Sequence, residues 1–564
     1  MNAISSSYEF HKTLESPLQF GRREWRALAI FGGGFVVILL LGAFTVSPAY
    51  FYPRLRTDTL LYYLKALTFA ETGHTTATAA INLRPFHYQS MPGVLRSPFL
   101  VAFRDFDSQL RAIQIFNAGL VAVTTSLYAY ILSWTVPRKW HSLSIGFAFG
   151  FTLLSPEWVA NVFEMLADAP YAFFSILCVI ITARILTSST RLTTHWLAIA
   201  TALVLFISAF LTRFTAPVLL VYAAALAAGR VREYRISRRV TFAAVIAAVV
   251  CIATLVVLNW PTITAIYLVD ITTYLARGSK SGMLINLLTI SLPAQIIPDL
   301  WLALTKNPTG GTLDFTVGST PRDLVILMIG LAVSCVTLFG IWRTRMRFAP
   351  EIAYTLGALP VLSVLIPSTT RYLMAYQPFL WIFFYNGAAT FAQPVAVRVT
   401  RRLRAAFVGL ALLFAAGTGL VLLRTKKMKI GGSGGAISFG DTRRYAPEIA
   451  STFESLRRFL EKLPRERSLL IGEKGAVGRW RVISGLDYYY ADTALARAVA
   501  TRDTYVVLEC GTLDTCSGLD DRDARTRRHL NKFGPFHFDP VFSREGEHAR
   551  ARVYRLRPAV GPTF

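Results

Sequence analysis

The chain has 564 residues, 53% of them hydrophobic and only 16% charged, and carries a formal net charge of +26. That balance excludes an ordinary soluble globular protein and fits a polytopic α-helical membrane protein with polar mass attached. Most of the basic excess lies before residue 430, scattered between apolar runs, which points to loops at a membrane surface and away from nucleic acid.

In chain order, residues 1–26 form a polar N-terminal arm, followed by apolar runs near the length of a bilayer crossing. They read as about eleven spans, at 27–48, 112–135, 142–160, 169–187, 196–212, 214–229, 240–259, 323–342, 350–366, 373–393 and 405–423. The first lacks a cleavage site of the signal-peptide kind and reads as a retained anchor. The stretch "MLINLLTISLPAQIIPDLWLAL" at 283–304 carries Pro293 and Pro298, which disfavour a straight helix. It reads as interfacial or re-entrant. A pair of extra spans around 262–304, thirteen in all, is the alternative.

Basic residues set the orientation. With the N-terminus in the cytoplasm, "PRKWH", "GRVREYRISRR", "RTRMR" and "PVAVRVTRRLR" all fall inside. The short outer connections at 155–168 and 367–372 hold a single basic residue, Arg371. Residues 49–111 and 260–322 become long external loops, and the chain past residue 425 lies outside. There a Gly/Ser linker at 426–440 leads to a small α/β domain at 441–564. In it "PEIASTFESLRRFLEKL", "TALARAVAT" and "ARTRRHLNKF" read as helices, and "SLLIG", "WRVISG", "TYVVLEC" and "ARVYRLR" as strands. Cys510 and Cys516 are placed to form a small disulfide loop in an oxidising compartment.

The carboxylates gather on the outer side. Asp58 opens the amphipathic stretch "TDTLLYYLKALTFAETGH", either as a helix cap or as a base projecting from an interfacial helix. In "NVFEMLADAPYAFF", Glu164 and Asp168 stand four residues apart on one helix face, at the mouth of the fourth span. A carboxylate at a helix–membrane junction is expensive unless it is paired or at work. The plainer reading of Asp168 is again a helix cap.

These motifs, together with "TRFTAP" after the fifth span and "STTRYLMAYQPFL" entering a late one, resemble the GT-C glycosyltransferase superfamily, over residues 25–425. Within it they resemble protein O-mannosyltransferases and lipid A aminoarabinose transferases. Two elements depart from their pattern. Thr59 follows Asp58 where many relatives have an acidic pair, and "LRPFHYQSMPGVLRSPF" stands where many have Lys-Pro-Pro.

The resemblance implies an inverting membrane enzyme that takes a sugar from a polyprenyl-phosphate carrier and passes it to a hydroxyl of a lipid, glycan or protein. Asp58 would be the general base, and Asp168 with Glu164 would orient donor or acceptor. Arg371 and Arg213 would hold the phosphate, since a guanidinium offers a planar fork of donors. Arg84, Arg96 and His87 are further cations of the first loop. Tyr62, Tyr372 and Tyr376 read as interfacial belt residues, and Tyr62 and Tyr372 are also candidates for substrate binding. No nucleotide-binding glycine pattern or metal-ligand cluster stands out, although the chemistry admits a divalent metal. A transporter or flippase of lipid-linked glycans is the rival reading. The one-sided acids and the lack of an internal repeat speak against it.

Overall fold

The computed structural model describes residues 21–44, 52, 57–73, 91–136, 138–163, 166–187, 196–213, 215–234, 288, 292–296, 321–365, 370–396, 439–472, 480, 483–484, 486–489, 495–510, 519–546 and 549–559. Among the described residues before 397 the elements are helical. The helices there are α1 (Arg22–Phe44), α2 (Thr57–Thr72), α3 (Met91–Ala102), α4 (Phe106–Leu132), α5 (His141–Leu154) and α6 (Pro156–Phe163). They continue with α7 (Asp168–Thr187), α8 (Trp196–Thr212), α9 (Val218–Tyr234), α10 (Pro321–Thr344), α11 (Ala349–Leu365) and α12 (Gln377–Ala396). A 3₁₀ turn, Thr370–Tyr376, leads into α12.

Among the described residues, α1, α4 and α7 are long and apolar enough to cross a membrane, and α5, α8, α9 and α10 contain shorter apolar stretches. Large apolar side chains such as Ile30, Leu41, Leu197 and Met328 face outward. Such a surface suits lipid and would be a liability in water. The expected spans 240–259 and 405–423 lie outside the described residues. So does the 283–304 stretch, apart from residue 288, a short helical turn at Leu292–Ala294 and the two residues after it.

Boundaries shift for local reasons. Helix α4 begins six residues before its apolar run, because the Asp105 carboxylate accepts the Ser108 N–H at 2.8 Å and caps a polar first turn. The expected third span, 142–160, is two helices, broken at Ser155. Pro156 has no N–H to continue the ladder and instead opens α6, where that N–H is not needed. Helices α10 and α12 cross on small residues. A methyl group on Gly340 would sit 1.8 Å from the Phe383 carbonyl oxygen, and one on Gly387 2.1 Å from that of Val336. Only glycine permits backbones this close.

Past residue 438 the fold is α/β. A long helix, α13 (Phe439–Glu461), precedes β1 (Ser468–Gly472), β2 (Asp487–Tyr489), α14 (Leu495–Thr501), β3 (Asp503–Cys510), α15 (Leu519–Leu530), β4 (Phe536–Arg544) and β5 (Arg550–Pro558). The sheet order is β2-β1-β3-β5-β4. Strand β1 runs parallel to β2 and β3, whereas β3–β5 and β4–β5 are antiparallel. The central strand β3 is almost wholly buried, as its unbroken "TYVVLEC" pattern requires.

Some elements differ from the sequence reading. "WRVISG" is not a strand: Trp480 and Ile483–Ser484 are helical. The indole of Trp480 is fully buried, stacked on Phe453, and donates to Glu509 Oε2 at 2.7 Å. Strand β4 was not expected, because Pro540 interrupts its alternation. It is an edge strand whose register shifts between Pro540 and Phe542, where proline is tolerated. Cys510 is disulfide-bonded, while Cys178 and Cys335 are free. Cys516, its expected partner, lies outside the described residues.

The two parts touch. Arg457 of α13 donates from Nη1 to Asp107 Oδ2 at 2.9 Å and to the Tyr52 hydroxyl at 2.7 Å. The Tyr52 hydroxyl in turn donates to Asp107 Oδ1 at 2.7 Å, and its ring meets Trp480 edge-on.

Candidate functional site

Helices α7 and α8 form an antiparallel hairpin of similar arm lengths, so the first residue of one and the end of the other meet. Asp168 opens α7 and Arg213 follows α8, and Arg213 Nη2 donates directly to Asp168 Oδ1. Both side chains are almost completely buried. Removing two charges from water costs several kcal/mol per ion, and losing one partner of such a pair costs about 3–5 kcal/mol. Asp168 and Arg213 were expected in separate roles, as an acidic element and a phosphate clamp. They are one unit. The similar arms of 20 and 17 residues, on either side of 188–195, are a signal that could have paired them.

The approach to Asp168 is held by neutral and charged donors. Arg96 of α3 donates from Nη2 to the Leu166 carbonyl at 2.9 Å and to Asn117 Oδ1 at 3.2 Å, and from Nη1 to the Pro92 carbonyl at 3.1 Å. Asn117 Nδ2 donates to the Val162 carbonyl at 3.3 Å. Asn161 Oδ1 accepts the Ala169 N–H at 3.0 Å. Burial pulls the Arg96 guanidinium down to about 10, which still leaves it charged at neutral pH. Its fork is turned onto the Pro92 and Leu166 carbonyls and Asn117 Oδ1, whereas the sequence reading takes Arg96 as a further cation of the first loop.

Helix α3 also packs on α2. A methyl on Gly93 would lie 2.9 Å from Lys65 Cβ and 3.0 Å from the Ala66 nitrogen, so glycine is needed for this contact. Burial lowers Lys65 to about 7. Asp58 is the second residue of α2; nothing of its side chain is described. Tyr62, on the same helix, is buried and lies beside Arg96. It is therefore not a belt residue at a lipid surface.

The 3₁₀ turn that carries Arg371 and Tyr372 is clasped by the same helices. Tyr128 of α4 donates its hydroxyl to the Met374 carbonyl, and the hydroxyls of Tyr171 and Tyr376 lie 3.1 Å apart. Trp158 Nε1 donates to Gln377 Oε1 at 2.8 Å. Tyr376 is fully buried, again unlike a belt residue. The side chains of Arg371 and Tyr372 are not described, and Glu164, Arg84 and His87 lie outside the described residues. Among the described residues, no group of three or more His, Cys, Asp and Glu side chains could hold a metal ion.

The arrangement thus brings the backbone elements of three expected site segments to one place: the Asp58 helix through α3, the turn before Asp168, and the Arg371 turn. It defines a mostly helical, polytopic membrane chain with a buried acid–guanidinium pair where two helices meet.

No protein-family model matches the chain, and no curated protein matches it. Among solved structures it is similar to ArnT from Cupriavidus metallidurans bound to undecaprenyl phosphate. Identity is 13% over 92% of this chain and 98% of that one, with a TM-score of 0.45. The apo state of the same protein gives 12% identity, the same coverage and a TM-score of 0.41. These neighbours lie in the GT-C superfamily that the sequence motifs resemble. At such scores the likeness carries no argument about the reaction or about any residue.

Proposed function

We propose that this chain is an integral-membrane glycosyltransferase. It moves a sugar from a polyprenyl-phosphate carrier to a hydroxyl of a lipid, glycan or protein at the outer face of the inner membrane. The supporting observation is the buried Asp168–Arg213 pair, placed where the Asp58 helix system and the Arg371 turn both pack. A carrier lipid keeps its tail in the bilayer, so its phosphate must be met at a helix end and not in a soluble cleft. The acceptor hydroxyl loses a proton as it attacks the anomeric carbon, and Asp58 takes that proton. The departing phosphate gains charge. Arg371 stabilises it, and Arg84 and His87 of the first loop supply further positive charge. Asp168, fixed by Arg213, orients the sugar together with Glu164. Tyr62 and Tyr372 border the substrate.

The test uses membranes containing the full chain, supplied with labelled polyprenyl-phosphate sugars of several kinds. Transfer from at least one donor is expected, and Asp58→Asn should lower the rate by about 10²–10⁴-fold. An undiminished Asp58→Asn enzyme would remove the base assignment. Donor crossing the bilayer with no transfer would favour a flippase.

A further inference from the structure

We propose that Arg96 is a positioning residue. Its buried guanidinium ties the Asp58 helix system to the turn that presents Asp168, and so sets the spacing of the two acidic elements. This rests on the glycosyltransferase reading above. Arg96 touches no reacting atom in it.

Three observations carry the assignment. Arg96 is one of the largest fully buried side chains in the molecule, and it is charged. A buried charge is tolerated only where it is well hydrogen-bonded. Here the partners come from three segments: Pro92 on its own helix, Asn117 on α4, and Leu166 in the turn two residues before Asp168. A guanidinium can serve all three because its donors point in fixed, divergent directions, which a lysine cannot reproduce.

The second observation is that the turn is held from both sides. Asn117 binds the Val162 carbonyl before it, and Asn161 receives the Ala169 N–H after it. With Arg96 on Leu166, the backbone that leads into Asp168 is pinned at three points. Asp168 is in turn bound by Arg213, so its carboxylate position follows from that of the turn.

The third is the rigidity of the other arm. Helix α3 meets α2 at Gly93, three residues before Arg96, with backbone-to-backbone closeness that leaves no slack. A displacement of α2 therefore passes to Arg96 and on to Leu166. One side chain thus relates the first external segment to the second acidic element, which are about a hundred residues apart in sequence.

Two readouts test this. In the full chain in detergent or nanodisc, Arg96→Met should speed amide hydrogen exchange in the 161–170 stretch several-fold and leave 503–510 unchanged. In the transfer assay, with the donor that the wild-type chain uses, kcat should fall by up to about 100-fold, as expected for reacting groups misplaced by about an ångström. The KM for donor should stay within about threefold, because no donor contact is removed. Arg96→Lys keeps the charge without the fork and should recover part of kcat. If Arg96→Met does not fold, Arg96→Lys carries the same two measurements, with intermediate expected values. Unchanged exchange at 161–170 overturns the proposal, as does a raised KM with kcat intact, which would mean that Arg96 meets the donor itself. A wild-type chain inactive with every donor would sink the glycosyltransferase reading separately. Exchange at 161–170 would then still decide whether Arg96 holds the turn.

Discussion

Lys65 shows how far single residues of the first external segment are withdrawn from water. Its amine sits on α2 under the α3 contact, and burial lowers it to about 7 from the usual 10.5. Between those values the unfolded chain binds a proton that the folded chain does not, so stability rises with pH from about 7 to about 10.5. Below about 7 the cost of charging the buried amine is present in full. Lys65→Met removes that cost. The variant should therefore unfold several degrees higher than the wild-type chain at pH 7, with the gap closing by pH 10. Thermal unfolding in detergent at the two pH values checks this, and a gap independent of pH would show that the amine stays solvated. At this scale the sequence was partly legible. Asp168 and Arg213 stood out because ionisable groups at membrane junctions are costly. That they pair with each other was not read, since it depends on hairpin register. Arg96 looked like any other cation of its loop, because nothing in "VLRSPF" shows whether a fork faces phosphate or carbonyls.

Among the elements, the apolar helices were readable because a bilayer demands long runs that no other constraint mimics. Trp196–Thr212 falls on the expected 196–212, and Asp168–Thr187 starts one residue before the expected 169. The broken α5–α6 crossing was missed, since hydropathy averages across Ser155–Pro156. The 3₁₀ turn before α12 was merged into its span for the same reason. In the C-terminal part, helices α13 and α15 begin earlier than their apolar patterns suggested, and β4 was hidden by Pro540. The α13 helix also docks this part onto the helical part through Arg457, which Asp107, the Tyr52 hydroxyl and Glu461 hold well above its ordinary range despite burial. The Arg457–Asp107 pair is partly exposed, so Arg457→Ala should weaken docking by only about 1 kcal/mol. Trp480→Ala removes a fully buried ring from the joint and should cost about 3–5 kcal/mol. Limited proteolysis between residues 426 and 440, the expected linker, should accordingly speed up slightly in the first variant and strongly in the second. Equal effects would mean that the ion pair, and not the aromatic packing, holds the parts together.

For the whole molecule, sidedness follows from helix α4, whose two ends meet different partners. At one end the Trp134 carbonyl accepts from Arg347 Nη2 at 3.4 Å, so the basic "RTRMR" turn lies by the basic "PRKWH" connection. At the other, Asp107 binds Arg457 of the C-terminal part. A helix of 27 residues separates its ends by about 40 Å, more than the hydrocarbon thickness of a bilayer. The two basic connections and the C-terminal part therefore belong to opposite faces. Because cytoplasmic loops keep their Lys and Arg, we propose that the face opposite them is the outer one. Arg528 and Arg345 are both exposed, and the proposed orientation puts them on opposite sides. Cysteines placed at each in turn, in intact cells treated with a membrane-impermeant maleimide, should give labelling of Arg528→Cys at once and of Arg345→Cys only after permeabilisation. The reverse pattern would place the C-terminal part inside. Labelling of both, or of neither, before permeabilisation would mean that α4 does not span, and the Asp168–Arg213 pair would then be a structural tie with no outer face to serve.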